Sequence, residues 1–319
     1  MDRSVYLVVG TKRRCKLNRH RRYGANMKES MDKRAFLKYL AAVLLFGLNG
    51  IVASGIALNS YEIVLLRTLI GTLAMAALFF LGRHRLTFYR EKRAFGYLAA
   101  SGLIMGIHWM LLYEAYQQVG VGIATLLCYC GPVLVMALSP LLFSERLTAW
   151  KLLGFAAVLA GVFLLSWEPR SGEVNRFGIL CGILSAVGYA GMIICNKKAA
   201  RIRGLENSML QLLFAFIAVA IFVGLRQGLR FEISAGSWPY ILMLGLVNTG
   251  IGCYCYFSSI GRLPVQTVSV LGYLEPVAAV VFSLLLLQEE MDAAELLGAA
   301  LIIGGAAFAE LYAGKQKKP

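Results

Sequence analysis

The chain has 319 residues, of which 59% are hydrophobic and only 15% charged, with a mean hydropathy of +0.68. A soluble protein carries roughly 25% charged residues, so too little polar sequence exists to cover a water-facing surface, and lipid must solvate most of the chain. The formal charge of +15 does not indicate nucleic acid as a partner, because its placement along the chain follows a membrane rule instead.

In chain order, residues 1–35 form a basic leader with eleven Lys and Arg and no apolar run long enough to span. It is not a signal peptide, since the first apolar run is long enough to remain as a membrane helix. A start at Met27 or Met31 would leave a short leader instead, and the third reading is a clamp on anionic lipid. Ten apolar runs follow, at 36–58, 63–82, 96–117, 121–143, 150–167, 177–196, 208–225, 239–259, 265–287 and 294–313. Each approaches the ~20 residues a helix needs to cross ~30 Å of hydrocarbon. The runs are apolar on all sides rather than alternating, which argues against strands. Residues 314–319 form a basic tail. The expected fold is all-α and integral to the membrane, with ten transmembrane helices.

Lys and Arg orient these spans. With the N-terminus inside, and Lys38 counted at the inner mouth of the first span, the inner side carries 27 of the 32 basic residues; Arg170, Arg176, Arg226 and Arg230 lie outside and Arg67 within a span. Both termini are therefore expected in the cytoplasm. The seven cysteines are odd in number and all but Cys15 lie in apolar runs, against a disulfide framework. Cys128/Cys130 and Cys253/Cys255 are two apart, on different sides of a helix, and read as apolar filler rather than metal ligands.

The chain repeats itself. Residues 127–161 recur without a gap 144 positions later, at 271–305, with fourteen of 35 positions identical. The pairs include Tyr129/Tyr273, Pro132/Pro276, Ser139/Ser283, Glu145/Glu289, Gly154/Gly298 and Gly161/Gly305. Five spans per repeat is an odd number, so the second repeat enters from the opposite side, and two inverted five-helix repeats are expected at 36–167 and 177–313. The prolines remove a helical hydrogen bond and form either a packing kink or a hinge. Glu145 and Glu289 end spans four and nine, where a structural role is expected. Thr148 and Asp292 can N-cap the following spans, and Asp292 with Glu295 fits a capping box. The glycines of spans five and ten suit close helix packing or a homodimer face.

The doubled pattern of Pro, Glu thirteen residues on, Gly nine further and Gly seven further resembles the drug/metabolite transporter superfamily, specifically its EamA branch. The resemblance covers residues ~36–313 and implies a ten-helix inverted-repeat permease that exports amino acids or other small metabolites from bacteria across the inner membrane. It names no substrate. Arg67 matches an Arg found early in span two of such proteins.

Charges within hydrocarbon are costly and are functional or paired. Glu275, mid-span nine beside Pro276, is the deepest carboxylate; its counterpart in the first repeat is Gly131. It could take up and release protons, or pair with Arg67 or His108. Arg67 is either a snorkelling structural residue with Glu62 as its nearest local partner, or a gate or anion contact. In span three, Trp109 and Tyr113 share a helix face and could stack on a solute. Glu114 is either a solvated mouth residue or a proton carrier, and His108 reads as a lone histidine among apolar neighbours. Tyr129, Tyr273, Asn49, Tyr189 and Asn248 complete the polar groups of an amphipathic cavity. The candidate binding set is thus Glu275, Tyr273, Tyr129, Trp109, Tyr113, Asn49 and Asn248, with Arg67, Glu114, His108, Pro132 and Pro276 in coupling or gating.

No Walker-type phosphate loop, His-Glu-x-x-His or Gly-x-Ser-x-Gly motif is present, and three histidines with only His108 in a span cannot build a two-His metal site. The expectation is a secondary transporter without a cofactor, with a small solute and the bilayer as its partners. The second reading is a non-transporting membrane scaffold or sensor.

Overall fold

The computed structural model describes residues 33–131, 133–135, 138, 149–167, 175–199, 201–229, 232–260, 263 and 271–315. Pro132, Glu145, Thr148 and most of the basic leader and tail lie outside the described residues.

The described elements are helical. The first apolar run folds as α1 (Lys33–Gly47) and α2 (Asn49–Ser54), broken at Leu48. Then come α3 (Ser60–Leu81), α4 (Lys92–Val119), α5 (Val121–Cys128), α6 (Ala149–Trp167), α7 (Arg176–Lys198) and α8 (Gly204–Arg226). A short α9 (Trp238–Leu242) runs through a π-helical stretch, Met243–Ile251, into α10 (Gly252–Ile260), and α11 (Leu274–Leu286) and α12 (Ala293–Lys315) close the chain. The α1–α2 pair, α3, α4, α7 and α8 are long and apolar enough to cross a membrane. Shorter apolar stretches occupy α6, α11 and α12 and the region of α5.

Local sequence explains the helix starts. Asn59 accepts from the Tyr61 and Glu62 amides while Glu62 reaches back to the Asn59 amide at 3.2 Å, closing a capping box before α3. Asp292 and Glu295 make the same reciprocal pair before α12, at 2.9 and 2.7 Å. Asn175 caps α7 through the Gly178 amide.

The 144-residue offset extends beyond the stretch visible in sequence. It carries the first residue of α3 onto that of α8, and that of α6 onto that of α12. Packing follows the same exchange. α1 lies against α10 and α11, and its counterpart α7 lies against α4 and α5. α3 touches the π stretch as α8 touches α4, and the equivalent pairs α3–α8 and α6–α12 pack on each other.

Both self-equivalent pairs are antiparallel. Glu206, at the start of α8, accepts hydrogen bonds from Thr87 and Phe88 in the loop after α3. Glu62, at the start of α3, takes the Gln227 amide just after α8 at 2.9 Å. In α6 and α12 the repeated glycines meet each other. A Cβ at Gly161 would stand 2.6 Å from the Gly298 carbonyl oxygen, and one at Gly305 2.9 Å from that of Gly154. These glycines serve a contact within the chain, where only a hydrogen side chain lets the backbones approach so closely.

The outer surface is apolar. Leu73, Phe80, Leu153, Phe163, Ile221 and Leu285 are each more than half exposed, an arrangement that suits lipid and would be a liability in water. With its apolar helices, the chain is a multi-pass membrane protein.

Candidate solute site

Two helix breaks frame the centre of the bundle. α5 ends in a turn at Tyr129 and Cys130, and α11 begins after a turn at Tyr273. These tyrosines are repeat partners. Proline explains the second break: Pro276 has no N–H to give the Gly272 carbonyl and cannot continue a helix through that point. Sequence alone suggested one long span with a proline kink. Instead a new helix starts at Leu274, and Pro276 sits in its first turn, where the missing N–H costs nothing. Pro132 lies outside the described residues.

Glu275 follows the second break. Its carboxyl faces the Tyr129 hydroxyl from the other repeat. Tyr189 and Tyr256 lie within its electrostatic reach. Glu275, Tyr129, Tyr189 and Tyr256 sit deep in the bundle, yet each keeps some accessible surface. Gly131, the counterpart of Glu275, packs on Tyr189; a Cβ there would stand 2.6 Å from its ring. Where one repeat brings a carboxylate, the other leaves room for an aromatic ring.

Arg67 is 3% exposed and joins the two repeats. Its guanidinium donates to the Tyr113 hydroxyl and, at 3.2 Å, to Thr249 Oγ1. It stacks 4.1 Å from the centre of the Trp109 ring and 5.1 Å from that of Tyr113. Trp109 and Tyr113 therefore do share a face, and the cation fills it. The expected local partner fails: Glu62 is five residues away, off the shared face, and is spent on Asn59 and Gln227. Arg67 and Glu275 sense each other electrostatically but form no ion pair. A buried guanidinium costs about 2.5–3.5 kcal/mol in hydrocarbon; stacking on a desolvated indole returns about 2.

The π stretch explains how span eight serves this site. Its wider turn places Asn248 and Thr249, both fully buried, toward the first repeat together. Thr249 meets Arg67. Asn248 donates to the Leu45 carbonyl at 2.8 Å and to Asn49 Oδ1 at 3.1 Å, bracing the break between α1 and α2. Asn49 and Asn248 thus form one pair, a bracing contact beside the cavity.

His108 is not alone: its Nδ1 lies 3.0 Å from both the Ser185 carbonyl and hydroxyl oxygens, and its ring meets Tyr189 edge-on. Glu114 accepts from Ser60 and from the Gln118 amide at 3.0 Å. Tyr273 is half-buried at its break. Sequence reasoning missed Thr249, Ser185 and Tyr256. The π stretch and the buried faces of α7 and α10 leave no period in an all-apolar run from which these could be read. No metal-binding cluster occurs among the described residues, and the described cysteines form no disulfide.

A second polar knot occupies the position equivalent to Arg67. Gln211, its counterpart, donates to Ser101 Oγ at 3.1 Å and accepts from Asn196 at 2.7 Å. A small cavity of about 160 Å³ lies beyond Tyr113, bounded by Gly50, Ile56, Ile63, Tyr113, Tyr116 and Val121.

The profile of the EamA-like transporter family matches residues 33–167 and again 176–310. An uncharacterized transporter, YxxF, of Bacillus subtilis (strain 168) is 24% identical over 286 residues, covering 89% of this chain and 91% of its own. An uncharacterized transporter of Archaeoglobus fulgidus is 29% identical over 195 residues, covering 61% and 69% respectively. A protein of known crystal structure superposes with a TM-score of 0.62 at 21% identity, over 89% of this chain and 99% of the other, a likeness of fold. The helices, the doubled architecture and the two family matches agree: the chain belongs to the EamA-like transporter family.

Proposed function

We propose that the chain is a secondary transporter of the bacterial inner membrane, with ten spans in two inverted repeats and both termini in the cytoplasm. It exports amino acids or other small metabolites by alternating access. The observation that carries this reading is the pair of equivalent helix breaks at Tyr129 and Tyr273, with Glu275 presented between the repeats. Broken helices at the repeat interface are where such transporters bind their solutes. The antiparallel packing of α3 on α8 and of α6 on α12 supports inversion, since each pair unites equivalent helices.

In this reading the solute binds between the repeats, against Glu275, Tyr129, Tyr189 and Trp109. Glu275 exchanges protons with whichever side the site faces, and Arg67, Tyr113 and Thr249 bar the way to the cavity beyond. In proteoliposomes a pH gradient should accelerate solute movement, and Glu275→Gln should abolish that acceleration; an unchanged response would remove Glu275 from coupling. A toxicity screen over amino acids and other metabolites, in cells overproducing the protein, identifies the solute. If no solute's efflux changed, the exporter reading would fail.

A further inference from the structure

The Arg67 guanidinium places a permanent charge where the other repeat has the neutral Gln211, and the surrounding protein leaves that charge without a contact anion. The equivalent Gln211 is closed by neutral partners, with donor and acceptor both used. At Arg67, Nη1 is given to Tyr113 and Nη2 to Thr249. Nε finds no hydrogen-bond partner, and among the described residues no carboxylate lies within ion-pair distance. Trp109 covers one face of the group. Nε and Nη2 form the edge whose parallel donors a carboxylate takes side-on, and Nε on that edge is unpaired. Cys253 and Glu275, both half-buried, lie in electrostatic range on the interior side.

We propose that this edge is an anion subsite and that the transported solute carries a carboxylate which docks on it, in the shelter of Trp109. The proposal rests on the transport reading above and deepens it. Glu275 does not fill the role: its carboxyl faces Tyr129 and forms no ion pair with Arg67. Thr249 and Tyr113 are neutral oxygens that orient the guanidinium without neutralising it, which leaves the charge for the solute. Access to the edge, itself shielded in this state, opens when Trp109 or the π stretch shifts.

The experiment uses the full chain in detergent. Trp150, Trp167 and Trp238 are replaced by Phe so that Trp109 is the sole fluorescent reporter, and thermal stability of the unaltered chain is read in parallel. The probes are matched pairs: acetate, propanoate and phenylacetate against acetamide, propanamide and phenylacetamide. The carboxylates should quench Trp109 and raise the melting temperature, with the amides at least about tenfold weaker. Arg67→Lys should keep a weakened preference for the acids, since a point charge replaces the planar fork, and Arg67→Gln should erase it. Acid and amide acting alike on the wild type, including no response to either, would overturn the proposal, as would an undiminished preference in Arg67→Gln. The wild-type comparison stands even if a variant fails to fold. A chain that prefers acids but moves no solute in vesicles would overturn the transport reading instead, and one that transports an amide as readily as its acid would overturn only this proposal.

Discussion

At the scale of single residues, buried polar atoms are worth most where they join the two repeats. Asn248 is completely buried and gives both amide hydrogens to the first repeat, to the Leu45 carbonyl and to Asn49. Interhelical hydrogen bonds in membranes average ~0.6 kcal/mol and reach ~1.7. Asn248→Leu should therefore cost about 1 kcal/mol and lower the melting temperature by roughly 2–4 °C. An unchanged melting temperature would show the brace to be idle. Polar residue types in apolar runs flagged this pair, and Arg67 and Glu275 as well, directly from sequence, because each departs from its surroundings. The partners were legible only in part. Glu62 looked right for Arg67 by proximity along the chain, but the true partners, Tyr113 and Thr249, come from a neighbouring helix and from the other repeat. Ser185 beside His108 was invisible for the same reason: a small hydroxyl in a membrane helix carries no pattern that says which helix it will face.

At the scale of elements, the repeated turn carboxylate finds a role that its spacing alone could not give. Among the described residues, the Glu289 carboxylate finds its hydrogen-bond donors outside its own hairpin. Its two oxygens accept the Val121 and Gly122 amides at 2.7 and 3.1 Å, the unpaired donors that begin α5 in the other repeat. Gly120, held at φ +84, lets the chain turn beneath it; a Cβ there would stand 2.9 Å from the carboxylate. The carboxylate also meets the positive end of the α5 dipole. Removing such a cap costs about 1–2 kcal/mol, so in Glu289→Ala the Val121 and Gly122 amides should exchange hydrogen roughly tenfold faster, with Glu289→Gln intermediate because one acceptor remains. Exchange at the wild-type rate in the alanine variant would remove the clamp. Among the described residues, helices were legible because the apolar runs are long. The breaks were less so. Pro276 marked one, but only as a kink. The break at Leu48 and the π stretch follow from tertiary bonds made by Asn248 and Thr249, which no local propensity encodes.

At the scale of the whole molecule, the charge pattern and the packing can be set against each other. The loop after α3 and the loop after α7 come from different repeats, and both are basic. They meet on one face: Arg201 pairs with Glu91 at 2.9 Å, and Glu206 holds Thr87 and Phe88 beside them. The loop after α8, at the far end of that helix, lies on the opposite face with Gln227 at Glu62. Because α3 and α8 pack antiparallel, the loops that follow them emerge on opposite faces. Positive charge is retained on the side where Arg83, Arg85 and Lys92 accompany Lys197, Lys198 and Arg201, as expected where loops are held in the cytoplasm. This makes orientation testable independently of transport. In a cysteine-free chain, Glu232→Cys, exposed in the loop after α8, should react with a membrane-impermeant maleimide in intact cells. Arg201→Cys, whose native side chain is 76% exposed, should react only after permeabilisation. Because the Arg201–Glu91 pair is a surface contact worth under about 1 kcal/mol, losing it leaves the fold in place for the comparison. Labelling of both positions in intact cells would break the arrangement in which α8 crosses the membrane between them, and labelling of Arg201→Cys alone would reverse the orientation and put both termini outside.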